Sequence, residues 1–284
     1  VFAMSLDLLI GYTGLLSLGH AAFFGAGAYT IGILAKHYGV DSLIGLPLAV
    51  LVGVAIAAIF GPFVLRVTGA YFLMLTLALA QLLFGIAWFW RSMTGGDDGL
   101  AGLPRPTLPV GINLWDERAF YYFILAIAVL AAVTMFGLVN SAFGLALRGV
   151  RDNELRMASL GYNPWLLKYV VYVIAGGYAA LAGALEAYYL GYVGTSVLSW
   201  TLSGEVIIML ILGGLGSLWG PAVGAAIVEL LKFRISSETE RWVLILGLIF
   251  ILTVFVAPKG LTRLPGQLWA RQRRRQVGAV ASAD

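Results

Sequence analysis

The sequence contains no cysteine and only two histidines, His20 and His37. Without a thiol there is no disulfide framework, no thiolate metal site and no cysteine nucleophile. Two histidines exclude a histidine-rich metal centre. Charge is scarce as well: 11% of the 284 residues are Asp, Glu, Lys or Arg, against about a quarter in soluble domains. What replaces charge is apolar residues, at 61%, and they are concentrated in blocks. Residues 44–65, 119–139 and 242–257 have almost no charge in their interiors. About 20 apolar residues cross a hydrocarbon core as a helix. A soluble protein with buried helices would show polar faces at helical period, and these blocks have none. The composition therefore predicts an all-α, polytopic helical bundle embedded in a membrane, suited to passing a small polar solute.

The pI near 9.3 does not point to nucleic acid, because the basic residues gather at the edges of apolar blocks. Ten of the 18 Lys and Arg residues lie in two stretches. One, 140–168, holds Arg148, Arg151, Arg156 and Lys168; the other, after Pro258, holds Lys259, Arg263, Arg271, Arg273, Arg274 and Arg275. The positive-inside rule places both in the cytoplasm. The stretch 92–118, with Asp97, Asp98, Asp116 and Glu117 against Arg105 and Arg118, is then expected outside. Trp88, Trp90 and Trp115 flank it as interfacial anchors. Spans are expected near 1–11, 17–36, 44–65, 70–91, 119–139, 165–191, 203–214, 219–234 and 242–257, within a range of about 8–10. Residues 1–264 form the membrane domain, and the basic tail 265–284 is expected to be flexible and cytoplasmic. The first residue, Val1, stands in what already reads as a helix. This predicts a missing upstream segment or a processed N-terminus, without a cleavable signal pattern.

The short spans carry the most information. Gly14-Leu15-Leu16-Ser17-Leu18-Gly19-His20 interrupts the first pair, and Gly213-Gly214-Leu215-Gly216-Ser217-Leu218-Trp219-Gly220-Pro221 interrupts a later pair. Paired glycine-interrupted segments point to a central transport site between broken helices, and irregular backbone survives at membrane depth only where protein or a watery cavity satisfies it. The candidate path residues are Gly14, Ser17, Gly19, His20, Gly214, Gly216, Ser217 and Gly220. Close packing of helices through small residues is the alternative for each glycine.

Residues 144–164 are too polar to cross and too patterned for a linker. Asp152 or Asn153 is expected to cap a short helix over 154–160 that stops at Gly161, and Asn163-Pro164 to open the next long helix. Leu155 and Ala158 share a face, with Met157 and Leu160 beside them and Arg148, Arg151 and Arg156 supplying charge. A helix this short needs a partner surface, which is either a protein or the lipid surface.

Leu147–Gly161 resembles the cytoplasmic coupling loop of bacterial ABC importer permeases, specifically the branched-chain amino acid (LIV-type) family in its LivM branch. Gly149 stands where that family usually has Ala. The resemblance extends to Asp7–Phe23, Gly25-Ala26-Gly27-Ala28-Tyr29, Thr94–Leu100, Gly213–Pro221 and Ala257-Pro258-Lys259-Gly260-Leu261, and so runs from Val1 to about Leu264. It implies one permease of an importer with a second, LivH-like permease, two LivG/LivF-like ATPases and an extracytoplasmic binding protein, in a bacterial inner membrane. Arg148, Arg151, Asp152, Asn153, Glu154, Met157 and Gly161 would form the ATPase-coupling loop. The chain has no Gly-x-x-x-x-Gly-Lys-Ser/Thr phosphate loop, so ATP and Mg²⁺ would be used by the partner subunits, and this chain would bind no cofactor.

Acids within spans are functional candidates. Ser203 is expected to cap the helix that carries Glu205 in its first turn, with substrate contact the other reading. Glu186 would pair with the second permease or face a polar cavity. Glu229 and Lys232 would snorkel near a span end. Asp7 would bond the broken backbone at 11–14, and a structural hydrogen bond is expected for His20. Asp97 and Asp98 form a flexible acidic turn, either ordinary turn chemistry or a contact for the binding protein. Two other classes compete: a stand-alone channel or ion-coupled carrier, which the loop around Glu154 argues against, and a membrane enzyme, which two histidines argue against. Among importers, urea or short amides are the alternative to branched-chain amino acids.

Overall fold

A computed structural model of the protein describes residues 1–39, 42–106 and 114–236, with 244, 245, 247, 248, 250 and 251 beyond them. The expected last span lies largely outside these residues, and the basic tail wholly so. The helices are α1 (Phe2–Thr13), α2 (His20–Ile33), α3 (Ser42–Val64), α4 (Ala70–Phe89), α5 (Arg91–Thr94), α6 (Glu117–Asn140), α7 (Ala142–Asp152), α8 (Glu154–Ser159), α9 (Pro164–Leu190), α10 (Trp200–Gly213) and α11 (Trp219–Ser236). A two-residue ladder pairs β1 (Leu100–Ala101) antiparallel with β2 (Tyr192–Val193). Two compact units are present, Val1–Val206 and Ile207–Asp284.

The centre of the first unit is α2, α3 and α9, which pack against one another. In lipid no hydrophobic force drives helices together, so small residues that let backbones approach must do it. Gly27 faces the Ala180 backbone and Gly183 faces the Phe24 backbone, each so closely that a Cβ would overlap a carbonyl. Gly53 stands likewise against Ala180 and Gly176. The small-residue run of α9, Ala175–Ala184, therefore becomes a contact surface on both sides.

Among the described residues, four helices are long and apolar enough to cross a membrane: 44–64, 70–89, 117–140 and 164–190. The apolar stretch of α9 is 61% buried and that of α6 only 17%, which sets α9 at the centre and α6 at the edge. Pro62 lies inside α3. Lacking an N–H, it cannot bond the carbonyl four residues back. The Tyr169 hydroxyl donates to that Ala58 carbonyl instead, at 3.2 Å. The start of α9 follows its sequence signals: the Asn163 side chain accepts from Leu166 N–H at 3.1 Å, with Pro164 at the first helical position.

Candidate functional site

The first interruption is a re-entrant segment. α1 ends at Gly14, whose φ of 74° redirects the chain. Gly14 N–H and Leu15 N–H donate back to the Ile10 and Leu9 carbonyls. α2 then begins at His20, whose Nε2 lies 2.9 Å from Ser5 Oγ and whose ring stacks on Phe2 at 5.5 Å. Ser5 is far from the end of α1. At 1.5 Å rise per residue, the distance back from Thr13 to Ser5 is about 12 Å. Residues 15–19 in extended form reach about 16 Å, so they run back alongside α1, and α2 starts partway up it.

Backbone at that position must find partners inside the protein, and it does. Leu18 N–H donates to Thr76 Oγ1 of α4 at 3.2 Å. Gly19 N–H donates to Ser17 Oγ at 3.3 Å. Ala21 N–H donates to Ser203 Oγ of α10 at 2.9 Å. Gly19 abuts the Thr76 backbone with no room for a Cβ. Ser17, His20, Thr76 and Ser203 are all buried. Thr76 and Ser203 were not marked by the sequence for this task. Ser203 serves α2 rather than capping its own helix, where Ser199 Oγ accepts from Thr201 N–H at 3.2 Å. The expected structural hydrogen bond of His20 is present. A cavity of about 350 Å³ lies between Gly14–Leu16 and Gly69, Ala70, Phe72 and Leu73 of the α4 entry.

The second interruption, in the second unit, is a tight helical hairpin. Gly214 and Gly216 have φ of 103° and 75°, and Leu218 has φ of 48°. Ser217 Oγ donates to the Gly214 carbonyl at 3.2 Å and accepts from Gly220 N–H at 3.0 Å. Gly213 faces the Gly220 carbonyl and Gly224 faces the Met209 carbonyl, again too close for a Cβ. Here the glycines let the two arms of the hairpin approach closely. The two interruptions thus share residue types but differ in geometry.

In the charged loop, Asn153 caps α8 by accepting from Arg156 N–H at 2.9 Å, and Gly161, at φ 86°, lies just past its end. Met157 is the buried member of α8, packed on Ala146, Val150 and Leu167. Gly149 makes room for it: a Cβ there would come within 2.6 Å of the Met157 sulfur. The departure from the expected Ala at 149 thus has a local partner. Leu155 is 82% exposed and Leu160 67%, and Asp152 is exposed beside them. Glu154 forms an ion pair with Lys168 in the first turns of α9. Arg151 donates to the Gly11 carbonyl at the end of α1, and the Arg148 guanidinium lies 5.0 Å from the Tyr12 ring. These three charged side chains therefore contact their own chain.

Asp97 and Asp98 are exposed on a turn that is braced rather than loose. Thr94 Oγ1 donates to Ala87 and Trp90 carbonyls at 2.6 and 2.8 Å and accepts from Gly96 N–H at 3.3 Å. The β1–β2 ladder follows directly. Asp7 is fully buried, Glu205 half-buried, and Glu186 sits on the exposed face of α9. Glu229 and Lys232 stand 4.0 Å apart. Among the described residues, no group of three or more His, Asp or Glu is placed to hold a metal ion.

Comparison with known proteins agrees with this architecture. The chain is 28% identical to the high-affinity branched-chain amino acid transport system permease protein LivM of Salmonella typhimurium, over 92% of this chain and 67% of that protein. It is 27% identical to LivM of Escherichia coli over the same shares. It is 28% identical to the guanosine ABC transporter permease protein NupQ of Bacillus subtilis, over 53% of this chain and 50% of that protein. No solved structure matches. The family described as branched-chain amino acid transport system / permease component matches residues 1–254, and the chain, a multi-helix membrane protein, belongs to it.

Proposed function

We propose that this chain is one permease of an ATP-driven importer that carries branched-chain amino acids delivered by an extracytoplasmic binding protein. It works beside a second, LivH-like permease and two LivG/LivF-like ATPases in a bacterial inner membrane. Residues 140–168 and the C-terminus face the cytoplasm. ATP and Mg²⁺ are handled by the ATPases, and this chain binds no cofactor. Residues 1–264 form the membrane domain, followed by the basic tail 265–284. Gly14, Ser17, Gly19 and His20, with Gly214, Gly216, Ser217 and Gly220, border the path, and Asp97 and Asp98 meet the binding protein.

One observation carries the reading: α8 presents Leu155 and Leu160 to the outside while Met157 and Glu154 anchor it from beneath. A six-residue helix is too short to be stable alone. Its apolar outer face fits a hydrophobic groove on another subunit. Leu155→Asp tests this without touching the anchor. Co-purification of the ATPases should fall about tenfold or more, since a buried anchor residue at an interface contributes at least ~1–2 kcal/mol. Undiminished co-purification overturns the assignment of α8. The solute is tested by calorimetry on the accompanying binding protein; binding of urea but not leucine overturns the choice of solute.

A further inference from the structure

Arg148 and Arg151 of α7 are exposed, yet both lie against the beginning of the re-entrant segment. Arg151 reaches the Gly11 carbonyl. That carbonyl is one of the last four of α1, which the helix itself leaves without a partner. A cation there also complements the negative end of the helix dipole. Arg148 covers Tyr12, which is 2% exposed. Arg151 Cγ lies 3.6 Å from the Cβ position of Gly14, the residue at which the chain turns back. From Gly14 only residues 15–19 separate this grip from His20 and the start of α2. α7 itself packs on α1, and α8 is fixed to α7 through Met157 against Gly149.

We propose that Arg148 and Arg151 are positioning residues that transmit displacement of the α7–α8 loop to the re-entrant segment, rather than contacts for the ATPase. This rests on the importer reading above. The loop has two outlets. Glu154–Lys168 couples it to α9, a helix held along its length by α2 and α3. Arg148 and Arg151 couple it to α1, the short helix that ends in the glycine turn. The segment beyond that turn donates single hydrogen bonds to Thr76, Ser17 and Ser203, which can be exchanged one at a time. A shift of α7 therefore moves 11–19 relative to α4 and alters the cavity beside Gly14–Leu16.

The test uses the assembled transporter in lipid nanodiscs. The chain has no native cysteine, so Leu16→Cys, at a half-exposed position in the segment, gives it a single thiol for bimane. Bimane emission is compared between the nucleotide-free and ATP–vanadate-trapped states, with trapped radiolabelled nucleotide measured in parallel. The expected result is a trapping-dependent shift that falls about fivefold or more in Arg151→Met, within the range by which residues along a coupled network modulate coupling. Trapped nucleotide stays unchanged, which a merely structural role would not allow. Arg151→Lys, which keeps a cationic donor, retains most of the shift. Arg148→Met leaves the Gly11 bond in place and decides the matter if Arg151→Met does not assemble. An undiminished shift in the variant that assembles, or no shift in the parent chain, overturns the proposal. Failure of the parent chain to recruit ATPase overturns the importer reading itself.

Discussion

Removing either partner of the Glu154–Lys168 pair should have unequal consequences. The Lys168 side chain is 9% exposed and that of Glu154 46%. Breaking a fully buried pair costs about 3–5 kcal/mol, because one charge is left uncompensated. An exposed pair is worth about 0–1 kcal/mol. This pair is half of each. Glu154→Gln strands the buried ammonium, so we expect a cost of about 1–3 kcal/mol, below the fully buried case because the acid itself is screened by water. Lys168→Met keeps the aliphatic stem and frees a carboxylate that is already half in water, with an expected cost of about 0–1 kcal/mol. The double variant Glu154→Gln/Lys168→Met should be no worse than Lys168→Met alone, a non-additivity as large as the Glu154→Gln cost, about 1–3 kcal/mol. Thermal unfolding of the purified chain in detergent, followed by tryptophan fluorescence, reads these differences. Trp165 stacks on Tyr169 at 5.3 Å, one turn from the lysine, and serves as a local reporter. If Lys168→Met costs as much as Glu154→Gln, or if the two effects simply add, the reasoning is refuted. A charge reversal, Glu154→Arg, would set a second cation against Lys168 and should cost more than Glu154→Gln.

Two further outcomes follow from the packing. Thr76→Val removes the acceptor of Leu18 N–H and should cost about 1–3 kcal/mol as a stranded buried donor, whereas Thr76→Ser should be nearly neutral; thermal stability in detergent separates them. Gly27→Val forces a branched side chain into the Ala180 backbone, and overpacking of this kind costs about 1–3 kcal/mol or more. Yield of monodisperse protein on gel filtration should fall sharply, and Gly137→Val, where a Cβ meets nothing within 4 Å, should lower it far less.

Much of the architecture was legible where the signal is local. The caps at Asn153 and Asn163, the stop at Gly161 and the turn at Gly14 are each written within a few residues, and each was found. The glycine interruptions were found too, but their geometry was not. Gly14–Gly19 and Gly213–Gly220 share small residues around a Ser-Leu pair, yet one re-enters beside its helix and the other folds into a hairpin. What separates them is the identity of distant partners. Thr76 and Ser203 lie 58 and 182 residues from the groups they serve, and nothing in their own surroundings marks them. The same holds for Arg148 and Arg151. Local composition marks them as surface charge, and only the end of α1, some 140 residues earlier in the chain, gives them partners.

The re-entrant segment also constrains how the protein is made. Its amide groups are satisfied by Thr76 and Ser203, and the latter is synthesised long after α1 and α2 have left the ribosome. An unsatisfied amide in lipid costs several kcal/mol, so residues 15–21 cannot settle at their final position when they first emerge. They must wait at the membrane surface, or in a protected insertion site, until α10 arrives. Truncation before residue 203 should therefore leave the first two helices inserted but open to labelling from water. In this chain a segment around residue 20 is completed only by residue 203.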